Sequence, residues 1–144
     1  MEISVKSEYA LRAVFDLACQ EGPQPVKIAE IAGRQAIPQK FLELILSQLK
    51  QGGFLGSRRG AEGGYFLALP AEKITIGDVL RHVDGPISPA RKQMRQNALP
   101  DSPFSELWGQ VEEALSQVLD QTTFADLVVR WREKNALQVA NWQI

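Results

Sequence analysis

Between Pro38 and Leu69 a short stretch with helical periodicity runs straight into Phe54-Leu55-Gly56-Ser57-Arg58-Arg59-Gly60-Ala61-Glu62-Gly63-Gly64-Tyr65-Phe66-Leu67. Gly60, Gly63 and Gly64 fit the positive φ values of a tight hairpin tip, and Leu55, Tyr65 and Leu67 sit at spacings that strands bury on one face. A helix followed by a hairpin with two arginines at its tip is the layout of a winged helix that grips DNA. That layout leaves few alternatives for the flanking segments, which must supply the helices it packs on.

They carry the expected patterns. Tyr9 to Gln20 places Leu11, Val14, Phe15 and Ala18 at helical spacing, and Gly22-Pro23 ends the segment. Ile28 to Gln35 reads as a helix of about two turns, with Ile28, Ile31 and Ala32 on one side. A short turn at Ala36-Ile37 follows, and Pro38 suits the first position of the next helix, so the pair reads as a helix-turn-helix. In that second helix Leu42, Ile45, Leu46 and Leu49 form an apolar face, while Lys40, Glu43, Ser47 and Lys50 recur at intervals of three and four on another. Gly52-Gly53 ends it, the hairpin follows, and Pro70 closes the hairpin. Thr75 with Asp78 three residues on predicts an N-cap for a helix through Ile76, Val79, Leu80 and Val83, stopped by Asp84-Gly85-Pro86.

Pro86, Pro89, Pro100 and Pro103 punctuate the next stretch, which also carries Arg91, Lys92 and Arg95 and few core-forming side chains; it reads as a mobile linker. Beyond it Leu107, Trp108, Val111, Leu115, Val118 and Leu119 lie along a helix of about four turns. Thr122-Thr123 separates that helix from one opened by Phe124, Leu127, Val128 and Trp131. An amphipathic helix tethered by a linker has little of its own chain to pack on, so a second copy is the expected partner and the helix the expected dimer interface. The predicted fold is mainly α with a small β-hairpin. Its parts are a winged helix-turn-helix DNA-binding domain over 1–83, a linker over 84–103, and a long dimerisation helix with a C-terminal helix over 104–144.

Composition excludes several classes. Across 144 residues no apolar run approaches the about 20 that span a bilayer, and the first eight residues are too polar for a signal peptide, so no membrane partner and a cytoplasmic location are expected. Residues 1–60 hold eight Lys and Arg against six acids, whereas from Phe104 onward six acids face three bases, so the N-terminal part is the better phosphate-facing surface. Cys19 is the only cysteine and His82 the only histidine, too few for an internal disulfide or a cysteine cage. There is no phosphate loop, zinc-binding pair or Cys-His combination to suggest an enzyme.

Tyr9-Ala10, Pro38-Gln39-Lys40-Phe41-Leu42-Glu43, Arg59-Gly60 through Gly63-Gly64-Tyr65, and Ile76-Gly77-Asp78-Val79 together resemble the Rrf-two family of bacterial winged-helix transcription regulators. The resemblance covers nearly the whole chain. It implies a homodimer on an imperfect palindrome of double-stranded DNA, with recognition helices in major grooves and the wing arginine in a minor groove. Cluster-binding members of that family carry three cysteines, often with a histidine, between the fourth helix and the dimerisation helix. Asp84 to Phe104 contains neither Cys nor His, and thiolates are the usual ligands of iron-sulfur clusters. No cofactor or metal is therefore expected, and the chain is similar to the cysteine-free branch that includes the regulator of cysteine metabolism.

The residues suggest the same surface on physical grounds. Gln39, Lys40 and Glu43 open a helix that can present them to base edges, and a glutamate can accept from cytosine N4. Ser47 and Lys50 continue the stripe. Arg59, next to Gly60 at the hairpin tip, can enter a narrow minor groove, while Arg58 suits a phosphate. The expected function is a sequence-specific regulator, with repression as the expected sense. The alternative is a winged-helix adaptor that binds another protein through the polar stripe, a reading weakened by the joint presence of Lys40, Arg58 and Arg59. Cys19 follows Phe15 by four residues on the buried side of its helix and reads either as a packed small hydrophobe or as a redox thiol. His82 suits a capping or surface role. Trp108, Trp131 and Trp142 suit core or interface, and Trp108 with the linker is the best place for a small-molecule or protein effector.

Overall fold

The computed structural model describes residues 2–89 and 102–142, with side chains as far as residue 139. Among the described residues the elements run α1 (Val5–Cys19), α2 (Ile28–Gln35), α3 (Gln39–Gln51), β1 (Leu55–Arg58), β2 (Gly64–Leu67), a 3-10 turn (Ala71–Lys73), α4 (Ile76–Asp84), α5 (Ser105–Gln121) and α6 (Phe124–Trp142). This is the mainly-α fold with one small hairpin. Arg91, Lys92, Arg95 and Pro100 of the expected linker, and the side chain of Trp142, lie outside the described residues.

Helix α1 begins four residues before the predicted Tyr9, because Ser4 caps it: the Ser4 hydroxyl accepts from the Ser7 amide at 3.0 Å. Its first turn has no apolar periodicity to announce it. The buried Ser7 hydroxyl donates to Asp84 at 2.5 Å and the Ser4 hydroxyl donates to the same carboxylate at 2.8 Å, which fixes the start of α1 against the end of α4. Pro38 stands one position outside α3 instead of opening it, and its carbonyl accepts from the Leu42 amide at 3.0 Å. The turn before it is closed by Ala36 in the left-handed region at φ 53°, a conformation that costs a non-glycine residue about 1 to 2 kcal/mol.

Ala10, Ala13, Val14 and Leu17 of α1 are buried against Ile31 of α2, the predicted quartet Leu42, Ile45, Leu46 and Leu49 of α3, and Val79 and Leu80 of α4. Two polar side chains enter this interior, Ser7 and Asp16. Asp16 accepts two parallel hydrogen bonds from Arg34 at 2.9 Å each and one from Gln35 at 3.1 Å, which locks α2 on α1. Ile87, inside the segment expected as linker, is also buried.

The two C-terminal helices divide their apolar residues between uses. Thr75 and Thr123 form an antiparallel bridge, flanked by Ile76 N–H to Thr122 carbonyl and Phe124 N–H to Ile74 carbonyl, both 3.0 Å. This short pairing delivers Phe124, fully buried, into the core of the winged-helix part. Leu115 and Leu119, expected to be left for a partner copy, are half-buried against the chain's own core, because the bridge draws that end of α5 down onto it. Arg81 of α4 grips Asp120 with two hydrogen bonds of 2.6 and 2.9 Å. Leu107, Trp108 and Val118 remain exposed and Val111 is partly so; no side chain of α5 is fully buried.

Candidate nucleic-acid interface

Helix α3 and the hairpin meet through Lys50, whose ammonium donates to the Ser57 hydroxyl of β1 at 2.6 Å. Lys50 therefore tethers the wing to the helix as well as carrying charge. Strand pairing runs Leu55 with Leu67 and Arg58 with Gly64, so the tip begins at Arg59. Gly60 turns the tip at φ 105°, and its carbonyl accepts from the Gly63 amide at 3.0 Å. Gly63 does not have the positive φ the spacing suggested. It is needed for close approach: a Cβ there would stand 2.1 Å from the Arg58 carbonyl oxygen. The outer edge of β2 is pinned, one residue from the tip, by reciprocal bonds of 2.8 Å between the backbones of Val26 and Tyr65. Tyr65 and Leu67 pack half-buried on the core while Leu55 is buried.

Gln39, Lys40, Glu43, Ser47 and Lys50 are all exposed on α3, and Arg58, Arg59 and Gly60 are exposed on the wing. On a 3.6-residue helix Glu43 and Lys50 share a flank, so the Lys50–Ser57 contact turns that flank toward the wing. Helix α3 is steadied from behind by His82 of α4, whose Nε2 lies 2.8 Å from the Gln48 carbonyl and whose ring meets Phe54 edge-on at 5.5 Å. The apolar spacing that located the core of α3 passes over Phe41 and Leu44, which are exposed. Leu44 follows Lys40 by four residues and precedes Ser47 by three, and that spacing was the available signal.

A helix-turn-helix whose second helix is welded to a wing with arginine at its tip matches known proteins along almost its whole length. The model of the Rrf2 family, described as iron-dependent transcriptional regulators, matches residues 3–130. The chain belongs to the Rrf2 family. It is 37% identical to the HTH-type transcriptional regulator CymR of Bacillus subtilis over 127 residues, covering 88% of this chain and 89% of CymR. The solved structure of that protein, the global cysteine regulator, is similar with a TM-score of 0.79 over 90% of this chain and 98% of its own, at 35% identity. The structure of IscR from T. potens is equally similar, TM-score 0.79 at 32% identity, over 93% of this chain and 90% of its own. As an Rrf2-family member the chain is a DNA-binding, helix-turn-helix transcription regulator with a winged-helix fold.

The iron in the family's description finds no matching donor set here. A cysteine-ligated cluster needs several thiolates, and this chain has one, on α1. Among the described residues no group of three His, Cys, Asp or Glu side chains could hold a metal ion, and no helix is long and apolar enough to cross a membrane. Cys19 is half-buried, not packed away. Burial pushes its thiol above the ordinary value, Asp16 adds to that, and Arg132 and Arg34 oppose it, so the thiolate a redox role needs is disfavoured. Of the place expected for an effector, Trp108 stacks on Phe104 with ring centroids 6.4 Å apart.

Proposed function

We propose that this Rrf2-family chain acts in the cytoplasm as a homodimeric repressor on an imperfect palindrome, without a cysteine-ligated cluster. Each copy lays α3 in a major groove, with Gln39, Lys40 and Glu43 at base edges and Ser47 and Lys50 beside the backbone. Each wing sends Arg59 into the adjacent minor groove, with Arg58 at a phosphate. The observation that carries this reading is the Lys50–Ser57 contact, which turns the Glu43 flank of the recognition helix toward the strand that leads to Arg58 and Arg59. The exposed Leu107, Trp108 and Val118 on an α5 with no buried side chain favour pairing of two copies through that helix. A palindrome follows from the two-fold axis, with half-sites about one helical turn or a multiple apart.

The experiment is a titration of wild type, Arg59→Ala and Glu43→Ala against a duplex selected from a random pool and its single-base variants, at two salt concentrations. Arg59→Ala is expected to weaken binding to every narrow-groove sequence and to flatten the salt dependence. Glu43→Ala is expected to lower discrimination at one base pair by about 1 to 3 kcal/mol while affinity for mismatched sites stays level or rises. A monomer at micromolar concentration, or affinity for the selected duplex no better than for random DNA, overturns the reading. Equal weakening of all sites by Glu43→Ala would make Glu43 a support of the helix and not a reader of bases.

A further inference from the structure

Leu44 is the most exposed large apolar side chain of the described chain, 72% accessible, and it stands on the recognition helix. Phe41, three residues before it, is 60% accessible. Together with Val5 and Tyr9 of α1 they line an open groove of about 760 Å³. A contiguous apolar strip left in water on a small regulator calls for an occupant. The helix geometry restricts what that occupant can be: residues three and four apart are neighbours on a helix surface, so Leu44 adjoins both Lys40 and Ser47, and Ser47 lines the same groove. A second protein chain covering Leu44 would also cover Lys40 and Ser47 and block the surface proposed for DNA. A duplex placed against Lys40 and Ser47 meets Leu44 beside them.

We propose that Leu44, flanked by Phe41, reads the C5-methyl groups of thymine in the major groove. The proposal rests on the DNA-binding surface set out above and deepens it. Of the groups on major-groove base edges, the thymine methyl is the apolar one, and an aliphatic side chain is its natural complement. The recognition helix then has two sides with different chemistry. Glu43 and Lys40 meet hydrogen-bonding edges, and Leu44 and Phe41 meet methyls. The selected half-site accordingly contains one or two thymines that no polar side chain of α3 accounts for.

The probe is the duplex selected by wild-type protein from a random pool, with each thymine replaced singly by deoxyuridine, which removes only the methyl. For the wild type one or two substitutions per half-site are expected to weaken binding about fourfold each, the equivalent of about 0.8 kcal/mol for one buried methyl. Leu44→Ala is expected to bind those same substituted duplexes as well as the parent, while its response to every other base change matches wild type. The variant alters an exposed position, so its fold and oligomeric state serve as controls. Wild-type indifference to every deoxyuridine, or identical deoxyuridine profiles in the two proteins, overturns the assignment. So does a Leu44→Ala variant that sediments as a smaller species, which would make the strip a contact between copies. Failure of the wild type to select any sequence is a separate outcome: it removes the DNA-binding surface itself, and this assignment with it.

Discussion

Residues 5–84 and residues 105–142 treat their apolar side chains in opposite ways. From α1 to α4 most large aliphatic side chains are buried, and the exposed apolar exceptions are Val5 on α1, Phe41 and Leu44 on α3, and Leu69 after the hairpin. In α5, by contrast, no residue of seventeen is buried, and among its described side chains α6 sinks Phe124 and Val128 alone. Charge divides the same way. Helix α5 carries Glu106, Glu112, Glu113 and Asp120 and no basic residue, whereas α3 and the wing hold Lys40, Lys50, Arg58 and Arg59. The first region supplies most of the core and offers a cationic surface; the second completes that core with Phe124 at one end and leaves the rest of α5 an apolar, anionic helix that phosphate would repel.

The largest test removes that completion. Phe124→Ala deletes the one fully buried aromatic that α6 contributes, and is expected to cost about 3 to 5 kcal/mol in urea unfolding. If the loss is below about 1 kcal/mol, the C-terminal helices are held by the hydrogen-bonded bridge alone and the comparison overstates their anchoring. Val118→Asp comes next. Val118 is exposed in the single chain, so folding should change by less than about 0.5 kcal/mol, while a charge buried between copies should weaken the proposed dimer by about 2 kcal/mol, roughly 30-fold. Sedimentation equilibrium separates the two, and an unchanged dimer would move the interface off this face of α5.

Ala36→Gly lies wholly in the first region and relieves the left-handed turn between α2 and α3; it should raise stability by about 0.5 to 1 kcal/mol with no effect on self-association. The smallest effect is acid. Its hydrogen bonds from Arg81 hold the Asp120 carboxyl below the ordinary value of 3.8. A carboxylate depressed in the folded state stabilises above its unfolded value and loses that contribution as pH falls through the folded one. The stabilising share of this half-exposed pair, a few tenths of a kcal/mol, should therefore be fully present at pH 5, begin to fall as pH drops below about 4, and be gone only below the depressed folded value. Arg81→Gln should lower the urea midpoint at pH 5, and the gap from wild type should narrow as pH is taken steadily below 3.8; a gap that stays constant down the whole acid range would assign the effect to packing.

The parts legible in the sequence are those whose signals are local. Helix α4 announces itself through Thr75 and Asp78, which form the reciprocal cap, at 3.1 Å in both directions. Helices α2 and α3 follow from apolar spacing on either side of the short Ala36-Ile37 turn, with paired glycines ending α3, and the wing from its tip. What stayed hidden depends on partners far along the chain. Asp16 looks like a surface acid until α2 folds back and Arg34, eighteen residues on, meets it. Phe124 reads as the start of a free amphipathic helix until residues 74–76 pair with 122–124. On α3 and the wing the exposure of the charged residues followed from type and spacing, whereas the exposure of Leu44 was masked by its belonging to the class of side chain that usually goes inside.

The bridge at Thr75 and Thr123 makes α5 a lever with its fulcrum at one end. Seventeen residues at 1.5 Å per residue reach about 25 Å, so a tilt of about 10° at the fulcrum swings the far end, near Trp108, by about 4 Å. That swing is close to one base-pair step of about 3.4 Å along a DNA strand. The fulcrum is crowded: a Cβ on Gly77 would stand 2.0 Å from a carboxylate oxygen of Asp120, on the α5 side of the joint. In a pair of chains joined through α5, the joint angle and the distance between the two reading heads are one mechanical variable, so a side chain at position 77, far from any base, would retune which operator spacing the pair can span.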